Sequence, residues 1–151
     1  MRIQRLNHAV LFVSELTRSL KFYTEVFGFE IVARQGRMAF LRAKGSDNHH
    51  DLGLIELGPT ATRPTRESVG LYHLAWQLVN IKELAAARET LIKAKAFTGE
   101  SDHGTTKSIY GVDPDDNGFE LMVLLPREEW GSYENQAPVM PLDWNKELKG
   151  G

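Results

Sequence analysis

Cysteine is absent from this chain of 151 residues. Its absence excludes disulfides, thiolate metal sites and cysteine nucleophiles together. Long apolar runs are absent too, since no stretch approaches the roughly 20 apolar residues that a membrane helix needs. Residues 1–13 contain neither a long apolar region nor the small-residue cleavage site of a secretory signal. We therefore expect a soluble cytoplasmic protein with no membrane partner.

Charge of one sign is not concentrated anywhere in the sequence. The formal net charge is −2 at pH 7, and like charges form no run. A protein that binds the phosphate backbone usually shows a basic face, so this pattern argues against a nucleic-acid partner. The apolar share of 42% and the charged share of 25% are those of a globular protein. The length fits one compact domain.

Apolar periodicity predicts one helix and four strands in the first part of the chain. The helix is expected to begin after Ser14 as its N-cap and to end at Gly28, because apolar residues between them recur near a period of 3.6. Apolar runs of strand length, rich in β-branched and aromatic residues, flank this helix. The predicted strands are Leu6–Val13, Phe29–Arg34, Met38–Lys44 and Asp51–Leu57.

The same order of patterns returns after residues 58–68, a connection rich in proline, glycine and hydroxyl side chains. A second helix is expected from its N-cap Asn80 to Lys95. The predicted strands of this half are Gly70–Leu78, Phe97–Gly99, Lys107–Val112 and Phe119–Leu124. Ser101 opens a predicted polar loop. Asp113, Asp115, Asp116 and Asn117 are turn formers to which we assign no chemistry.

The two halves form an internal repeat. Leu6-Asn7-His8 recurs as Leu71-Tyr72-His73, 65 positions later, and Asp51–Leu54 recurs at the same offset as Asp116–Phe119. Each half reads β-α-β-β-β, which predicts an α+β fold of two tandem modules that form a curved mixed sheet around a metal-binding cleft. We expect one domain over residues 1–151. Its parts are module 1 at about 1–57, a linker at 58–69, module 2 at about 70–125 and a C-terminal tail at 126–151, which wraps the body.

Three ligand-type side chains suggest a metal site. His8 and His73 occupy repeat-related positions in the predicted first strand of each half, and Glu120 lies in the last strand. Glu120 precedes the apolar segment 121–125, and an unpaired carboxylate in such a buried strand is costly. Two imidazoles and one carboxylate match the facial triad of non-haem Fe(II). The same ligand types also hold Zn, Ni or Mn.

At this level the chain resembles the vicinal-oxygen-chelate superfamily of glyoxalases, extradiol dioxygenases and antibiotic-resistance proteins. The resemblance rests on residues 6–8, 22–30, 71–75 and 113–120 within the paired modules. Within the superfamily, the chain is most similar to extradiol dioxygenases of the catechol 2,3-dioxygenase type. The matching segments are His103-Gly104, Ile109-Tyr110, Asp113-Pro114 with Glu120, the run His49–Leu54, and the tail segments 126–130 and 140–143. Three differences stand out: Asp116 replaces the usual glycine, Ser101 stands where the family signature has a different residue, and the chain has one module pair where most relatives carry two.

This resemblance implies roles for individual residues. His8, His73 and Glu120 would bind Fe(II), while a small aromatic diol and O2 would be the substrates. His50 would be the acid/base, while His103 and Tyr110 would hydrogen-bond the substrate oxygen and support ring opening. The product would be a hydroxymuconic semialdehyde-type acid, and a homodimer would supply the missing bulk of a single module pair. His49 is expected to face away from His50, because neighbours on a strand point to opposite faces.

Two other functions stay open on the sequence alone. A glyoxalase I-like lyase or isomerase would add Glu56 as a fourth ligand and favour Zn or Ni. At a strict 65-residue offset, however, Glu120 corresponds to Ile55, and a one-residue slip turns Glu56 to the other face of the sheet unless the halves differ by an insertion. A non-enzymatic protein that sequesters an aromatic drug is the third possibility, although such proteins usually lack the complete triad.

Overall fold

The computed structural model describes residues 1–63, 65 and 67–149. Pro64 and Arg66 of the predicted linker, and Gly150 and Gly151 at the end of the predicted tail, lie outside the described residues. The chain divides into two compact units, Met1–Ser68 and Val69–Gly151. The prediction of one domain with four parts stays a prediction.

Unit 1 is a mixed four-stranded sheet with one helix on it. The sheet order is β1-β4-β3-β2, with β1 parallel to β4 and the other neighbours antiparallel. Leu41, Leu52 and Leu54 are fully buried on the side where α1 packs. Side chains alternate along each strand, so the opposite side, called here the open face of unit 1, carries Val10 and Phe12. The elements are β1 Ala9–Val13, α1 Leu16–Glu25, β2 Glu30–Gln35, β3 Met38–Arg42 and β4 Leu52–Glu56.

Unit 2 repeats this arrangement with the order β5-β8-β7-β6, and β5 is parallel to β8. Leu84 and Leu91 of α2 are buried on the side that carries Ile109 and Leu121. Tyr110 and Glu120 alternate with these residues and therefore lie on the opposite side, the open face of unit 2. The elements are β5 Leu74–Gln77, α2 Ile81–Lys93, β6 Phe97–Asp102, β7 Thr106–Val112, β8 Gly118–Leu124, two 3₁₀ helices Arg127–Glu129 and Gly131–Asn135, and α3 Trp144–Lys149. The predicted pair of β-α-β-β-β modules is thus confirmed.

Several predicted boundaries are wrong by a few residues. β1 and β5 begin at Ala9 and Leu74, so His8 and His73 each stand immediately before the first strand of their unit instead of inside it. β6 continues to Asp102, so Ser101 is a strand residue and not the start of a loop. Cross-strand hydrogen bonds determine where a strand begins and ends, and the pattern of apolar residues contains no information about those bonds.

The two helices begin with different caps. Asn80 caps α2 as predicted, because its side-chain oxygen accepts a hydrogen bond from the Glu83 amide at 2.9 Å. Ser14 does not cap α1: the N-cap position is Glu15, and its side chain makes no capping hydrogen bond. The amide of Leu16 donates instead to the carboxylate of Glu56 on β4 at 2.7 Å. A partner distant in sequence therefore replaces the local cap.

The repeat shifts by two residues between the first and second strands of each unit. Ala9 and Leu74 open the parallel ladders 65 positions apart, whereas their partners Leu52 and Phe119 are 67 apart. α2 has 13 residues and α1 has 10, but the connection from the helix to the next strand is residues 94–96 in unit 2 and residues 26–29 in unit 1, one residue shorter in unit 2. When the parallel ladders of the two units are compared, the position of Glu120 in unit 2 corresponds to that of Gly53 in unit 1. The correspondence with Ile55, predicted from a constant offset, is therefore wrong.

The acidic turn between β7 and β8 is structural, as predicted. Asp113 accepts hydrogen bonds on its side chain from the amides of Asp115 and Asn117 at 2.8 and 2.9 Å. Asp116 adopts a φ of 64°, a left-handed conformation that aspartate tolerates better than most residues. This conformation explains how aspartate occupies a position where the family that the chain resembles usually has glycine.

The C-terminal tail packs on unit 2 itself. Lys107 of β7 reaches Glu147 of α3 at 3.5 Å, and the Arg88 guanidinium of α2 lies 5.8 Å from the Trp144 ring centroid. Trp130 donates its indole N–H to the carbonyl of Leu125 at 2.8 Å. Among the described residues, no helix is long and apolar enough to cross a membrane.

Replacing Asn80 with alanine should destabilise the protein by about 1 kcal/mol, because the Glu83 amide loses its acceptor. Asn80→Ser is the matched control, since serine caps well and should retain most of the stability. Urea unfolding followed by circular dichroism measures both variants. Equal stability of Asn80→Ala and the parent protein would contradict the capping role.

Candidate active site

His73 and Glu120 meet on the open face of unit 2. β5 runs parallel to β8 with Ala75 opposite Glu120, and His73 lies two residues before Ala75, on the same face. The Nε2 atom of His73 is 3.0 Å from Oε2 of Glu120. Glu120 is only 9% exposed. The parallel register therefore brings together two of the three predicted metal ligands at the atoms that would bind a metal.

Tyr110 and His103 lie beside this pair. Tyr110 stands directly opposite Glu120 in the antiparallel β7–β8 ladder, and its ring centroid is 5.9 Å from that of His73. His103 occupies the turn after β6, and its Nε2 is 2.6 Å from the Tyr110 hydroxyl oxygen. The Nδ1 atom of His103 is 2.7 Å from the carbonyl oxygen of Pro138. A carbonyl oxygen only accepts, so Nδ1 carries a proton and, in the neutral ring, Nε2 accepts from the phenol.

The surroundings of Tyr110 hold its phenol in the protonated form. Burial raises the pKa of Tyr110, and the negative charge of the adjacent Glu120 raises it further. The hydroxyl of Tyr110 is therefore a hydrogen-bond donor throughout the neutral pH range.

His8 is oriented by an asparagine that precedes it in the chain. Its Nδ1 lies 2.9 Å from the side-chain oxygen of Asn7 and donates to it, which leaves the lone pair on Nε2. The side-chain NH₂ of Asn7 donates in turn to the side-chain oxygen of Asn48 at 3.1 Å. The side-chain NH₂ of Asn48 donates back to the backbone carbonyl of Asn7 at 2.9 Å. Such outer hydrogen bonds select the tautomer of a metal-binding imidazole.

Asp51 anchors this amide network, and sequence reasoning assigned it no role. Its carboxylate accepts hydrogen bonds from the Asn48 amide at 2.7 Å, the Ser46 hydroxyl at 2.8 Å and the Ala43 backbone N–H at 2.8 Å. Burial alone would raise the pKa of Asp51, but these three donors together lower it below its ordinary value. The sequence signal for this network was the pair of short polar residues, Asn48 and Asp51, that flank His49 and His50.

His50 lies against His8 on unit 1. Their ring centroids are 4.4 Å apart, and the Phe40 ring is 4.9 Å from His50 on another side. Burial lowers the pKa of His50, and the nearby His8 and His49 lower it further, while Asp51 acts in the opposite direction. The prediction that His49 faces away from His50 is wrong, because their Nδ1 atoms are 3.0 Å apart. Both residues precede β4 in a bend, where strand alternation does not apply.

Glu56 lies on the helix side of the sheet in unit 1. Along β4, Leu54 and Glu56 point to one side of the sheet, and Gly53 and Ile55 point to the other. Glu56 therefore shares the buried side with Leu54. One carboxylate oxygen accepts from the Leu16 amide, and the other is 3.6 Å from Nε of Arg37. His8 precedes Val10 by two residues and lies on the side of the open face. This geometry opposes a role for Glu56 as a ligand beside His8.

The six predicted site residues divide between the two units. His8 and His50 belong to unit 1, and His73, His103, Tyr110 and Glu120 belong to unit 2. Within either unit, the described side chains form no group of three or more histidine, aspartate or glutamate residues suited to hold a metal ion. A three-ligand site that joins His8 to His73 and Glu120 is therefore part of the proposed function.

Comparisons with known proteins place the chain in a family. The model of the Glyoxalase/Bleomycin resistance protein/Dioxygenase superfamily matches residues 5–123. Because this match covers most of the chain, the protein belongs to that superfamily.

Individual relatives differ in their named activities. Catechol-2,3-dioxygenase of Bacillus subtilis (strain 168) is 37% identical over 126 residues, which are 83% of this chain and 43% of that protein. Lactoylglutathione lyase of Schizosaccharomyces pombe (strain 972) is 30% identical over 150 residues, covering 81% of this chain and 48% of that protein. This chain thus spans less than half the length of either relative. The fosfomycin resistance protein FosX of Listeria monocytogenes is similar in fold, with a TM-score of 0.64 at 23% identity over 85% of this chain and 99% of that one.

Replacing Glu56 with alanine should destabilise the protein by about 1 kcal/mol, because the Leu16 amide loses its acceptor. Glu56→Gln is the matched control, since it keeps an acceptor oxygen without the charge. Metal content, measured by elemental analysis after loading with Fe(II), should equal that of the parent protein in both variants. Loss of metal from both would assign Glu56 to the metal site.

Proposed function

We propose that the protein is an Fe(II)-dependent extradiol dioxygenase, which opens the ring of a catechol-type substrate with O2. One observation carries the proposal: the hydrogen-bonded pair of His103 and Tyr110 adjoins the pair of His73 and Glu120 on one face of one sheet. A metal site of any kind would use the pair of His73 and Glu120 but would not need the pair of His103 and Tyr110. The latter pair adds groups that can hold a proton near a substrate oxygen. The similarity to a catechol-2,3-dioxygenase supports this choice.

His8, His73 and Glu120 would hold the metal. The donor set fits a divalent metal, because it combines two imidazole nitrogens with a buried carboxylate. His8 presents the lone pair of Nε2 because Asn7 accepts the proton of Nδ1. With Fe(II) bound, the site would supply a Lewis acid for the diol substrate and a route for electron density from the substrate to O2. The same ligands could hold Mn, Zn or Ni.

His50 would remove a proton from a catechol hydroxyl and return it later in the reaction. Histidine suits this task because its pKa is near neutrality. Its ring packs against His8, so substrate held beside His8 would lie within its reach. Nδ1 of His49 lies 3.0 Å from Nδ1 of His50, and a hydrogen bond in either direction between them restricts rotation of the His50 ring.

Tyr110 and His103 would act on the second substrate oxygen. Tyr110 remains protonated, and its proton lies in a 2.6 Å contact with His103. The Tyr110 hydroxyl would turn this proton from Nε2 of His103 to a substrate oxygen as negative charge develops there, and Nε2 would accept it again when the ring has opened. The reaction would insert both atoms of O2 and break the ring bond next to the diol, giving a hydroxymuconic semialdehyde-type acid.

We also propose that two copies of the chain associate. The catechol-2,3-dioxygenase relative is more than twice as long as the part that this chain matches. A homodimer would supply a similar number of modules.

Protein loaded anaerobically with Fe(II) should consume one O2 per catechol and form a yellow ring-fission product. An oxygen electrode and a visible spectrum measure the two quantities together. The matched control is Tyr110→Phe, which keeps the ring and should lower kcat by about 10²-fold or more, because the phenol proton is lost. Inertness toward a panel of catechols, combined with isomerisation of hemithioacetals by the Zn- or Ni-loaded protein, would disprove the dioxygenase proposal.

Replacing His50 with alanine should leave the iron content unchanged and lower kcat by about 10²- to 10⁴-fold, as for loss of a general acid/base. His49→Ala is the matched control, and its effect should be smaller because it only supports the His50 ring. Elemental analysis and steady-state kinetics separate the two effects. If iron is lost with His50, that residue is a ligand or a structural element.

A further inference from the structure

The segment that follows the two 3₁₀ helices is attached to the turn that carries His103. Met140 and Asp102 form an isolated antiparallel bridge, in which each backbone N–H donates to the carbonyl of the other at 3.0 and 2.9 Å. Asp102 is the last residue of β6 and directly precedes His103. The bridge therefore holds the tail next to a proposed catalytic histidine.

The tail also contacts the imidazole of His103. The carbonyl oxygen of Pro138, two residues before Met140, accepts the proton of Nδ1 at 2.7 Å. A carbonyl oxygen has no proton to give, so this contact excludes the neutral tautomer with its proton on Nε2. The Tyr110 hydroxyl at 2.6 Å then donates to Nε2.

We propose that residues 138–140 are a positioning element that sets the tautomer of His103 and thereby the direction of the hydrogen bond between His103 and Tyr110. The consequence for catalysis rests on the proposed function, whereas the tautomer does not depend on it. If the proton moved to Nε2, His103 would become the donor and Tyr110 would turn its own proton elsewhere. The Nε2 lone pair that accepts the Tyr110 proton would then be lost although every side chain remained present.

Polar contacts of Asp102 and Lys107 connect the turn to the tail. The carboxylate of Asp102 accepts from Nζ of Lys107 at 2.5 Å and from the Gly104 amide at 2.8 Å. Lys107 is 5% exposed and also reaches Glu147 of α3. A buried lysine that bridges two carboxylates ties the strand, the turn and the tail together.

The tail borders an open pocket of about 380 Å³, which is lined by residues that include Lys107, Tyr133, Met140 and Glu147. Residues 138–140 are held to the turn by the backbone bridge and by the contact of Pro138 with His103, and Met140 borders the open space. A single substitution that breaks the bridge should release Pro138 from His103 and leave the sheet intact.

Met140→Pro removes the N–H that donates to Asp102 and should move the Pro138 carbonyl away from His103. Met140→Leu keeps the N–H, and Pro138→Ala keeps the carbonyl, so both serve as matched controls. Full-length, metal-free proteins labelled with ¹⁵N-histidine report the tautomer of each ring by NMR, and His103→Gln identifies the His103 signals. We expect the Nδ1–H tautomer in the parent protein and both controls, and a mixture of tautomers in Met140→Pro.

In the loaded enzyme, Met140→Pro should lower kcat by roughly 10-fold with little change in KM, because proton transfer is misdirected and substrate binding is not. A parent protein with the proton of His103 on Nε2 would overturn the proposal without any variant. Retention of the pure Nδ1–H tautomer in folded Met140→Pro would also overturn it. Absence of catechol cleavage would instead count against the proposed function, because the NMR result does not depend on turnover.

Discussion

The carboxylate of Glu120 is buried on a β-strand, and the arrangement of unit 2 depends on this constraint. A buried charge costs several kcal/mol unless polar groups surround it. The parallel β5–β8 ladder supplies His73 at 3.0 Å, and the antiparallel β7–β8 ladder places Tyr110 directly opposite. Tyr110 lies within its ladder, and His73 stands immediately before the first paired residue of β5. A site built on strand register is held more precisely than one built on loops.

Unit 1 orients its histidines by a different means. His8 and His50 precede strands, so hydrogen bonds must replace the ladder that orients a strand residue. Asn7 holds His8, and Asn48 connects Asn7 to the carboxylate of Asp51, which three donors stabilise. These amides and the carboxylate touch neither substrate nor metal in the proposed function. Their contribution is the orientation of an imidazole and the choice of its free nitrogen.

Local signals predicted what depends on local structure. Both modules, both helices, the Asn80 cap and the Asp113 turn followed from periodicity and side-chain chemistry over a few residues. The sequence did not reveal that Glu56 caps α1, because that contact joins residues 40 positions apart. It also made Glu120 correspond to Ile55, because unit 2 has a net two extra residues between its first and second strands, which leave no mark in composition. Tautomers depend on single acceptors such as Pro138, which no pattern identifies.

Gly53 shows how the two halves have diverged. It takes the position in unit 1 that Glu120 takes in unit 2, and a Cβ there would lie 3.2 Å from the Val10 side chain and 3.6 Å from Phe40. A side chain at residue 53 would therefore require the Val10 side chain to move by a few tenths of an ångström. The two halves thus differ at this position in packing as well as in chemistry: unit 2 has a carboxylate there, and unit 1 has two apolar side chains against a glycine.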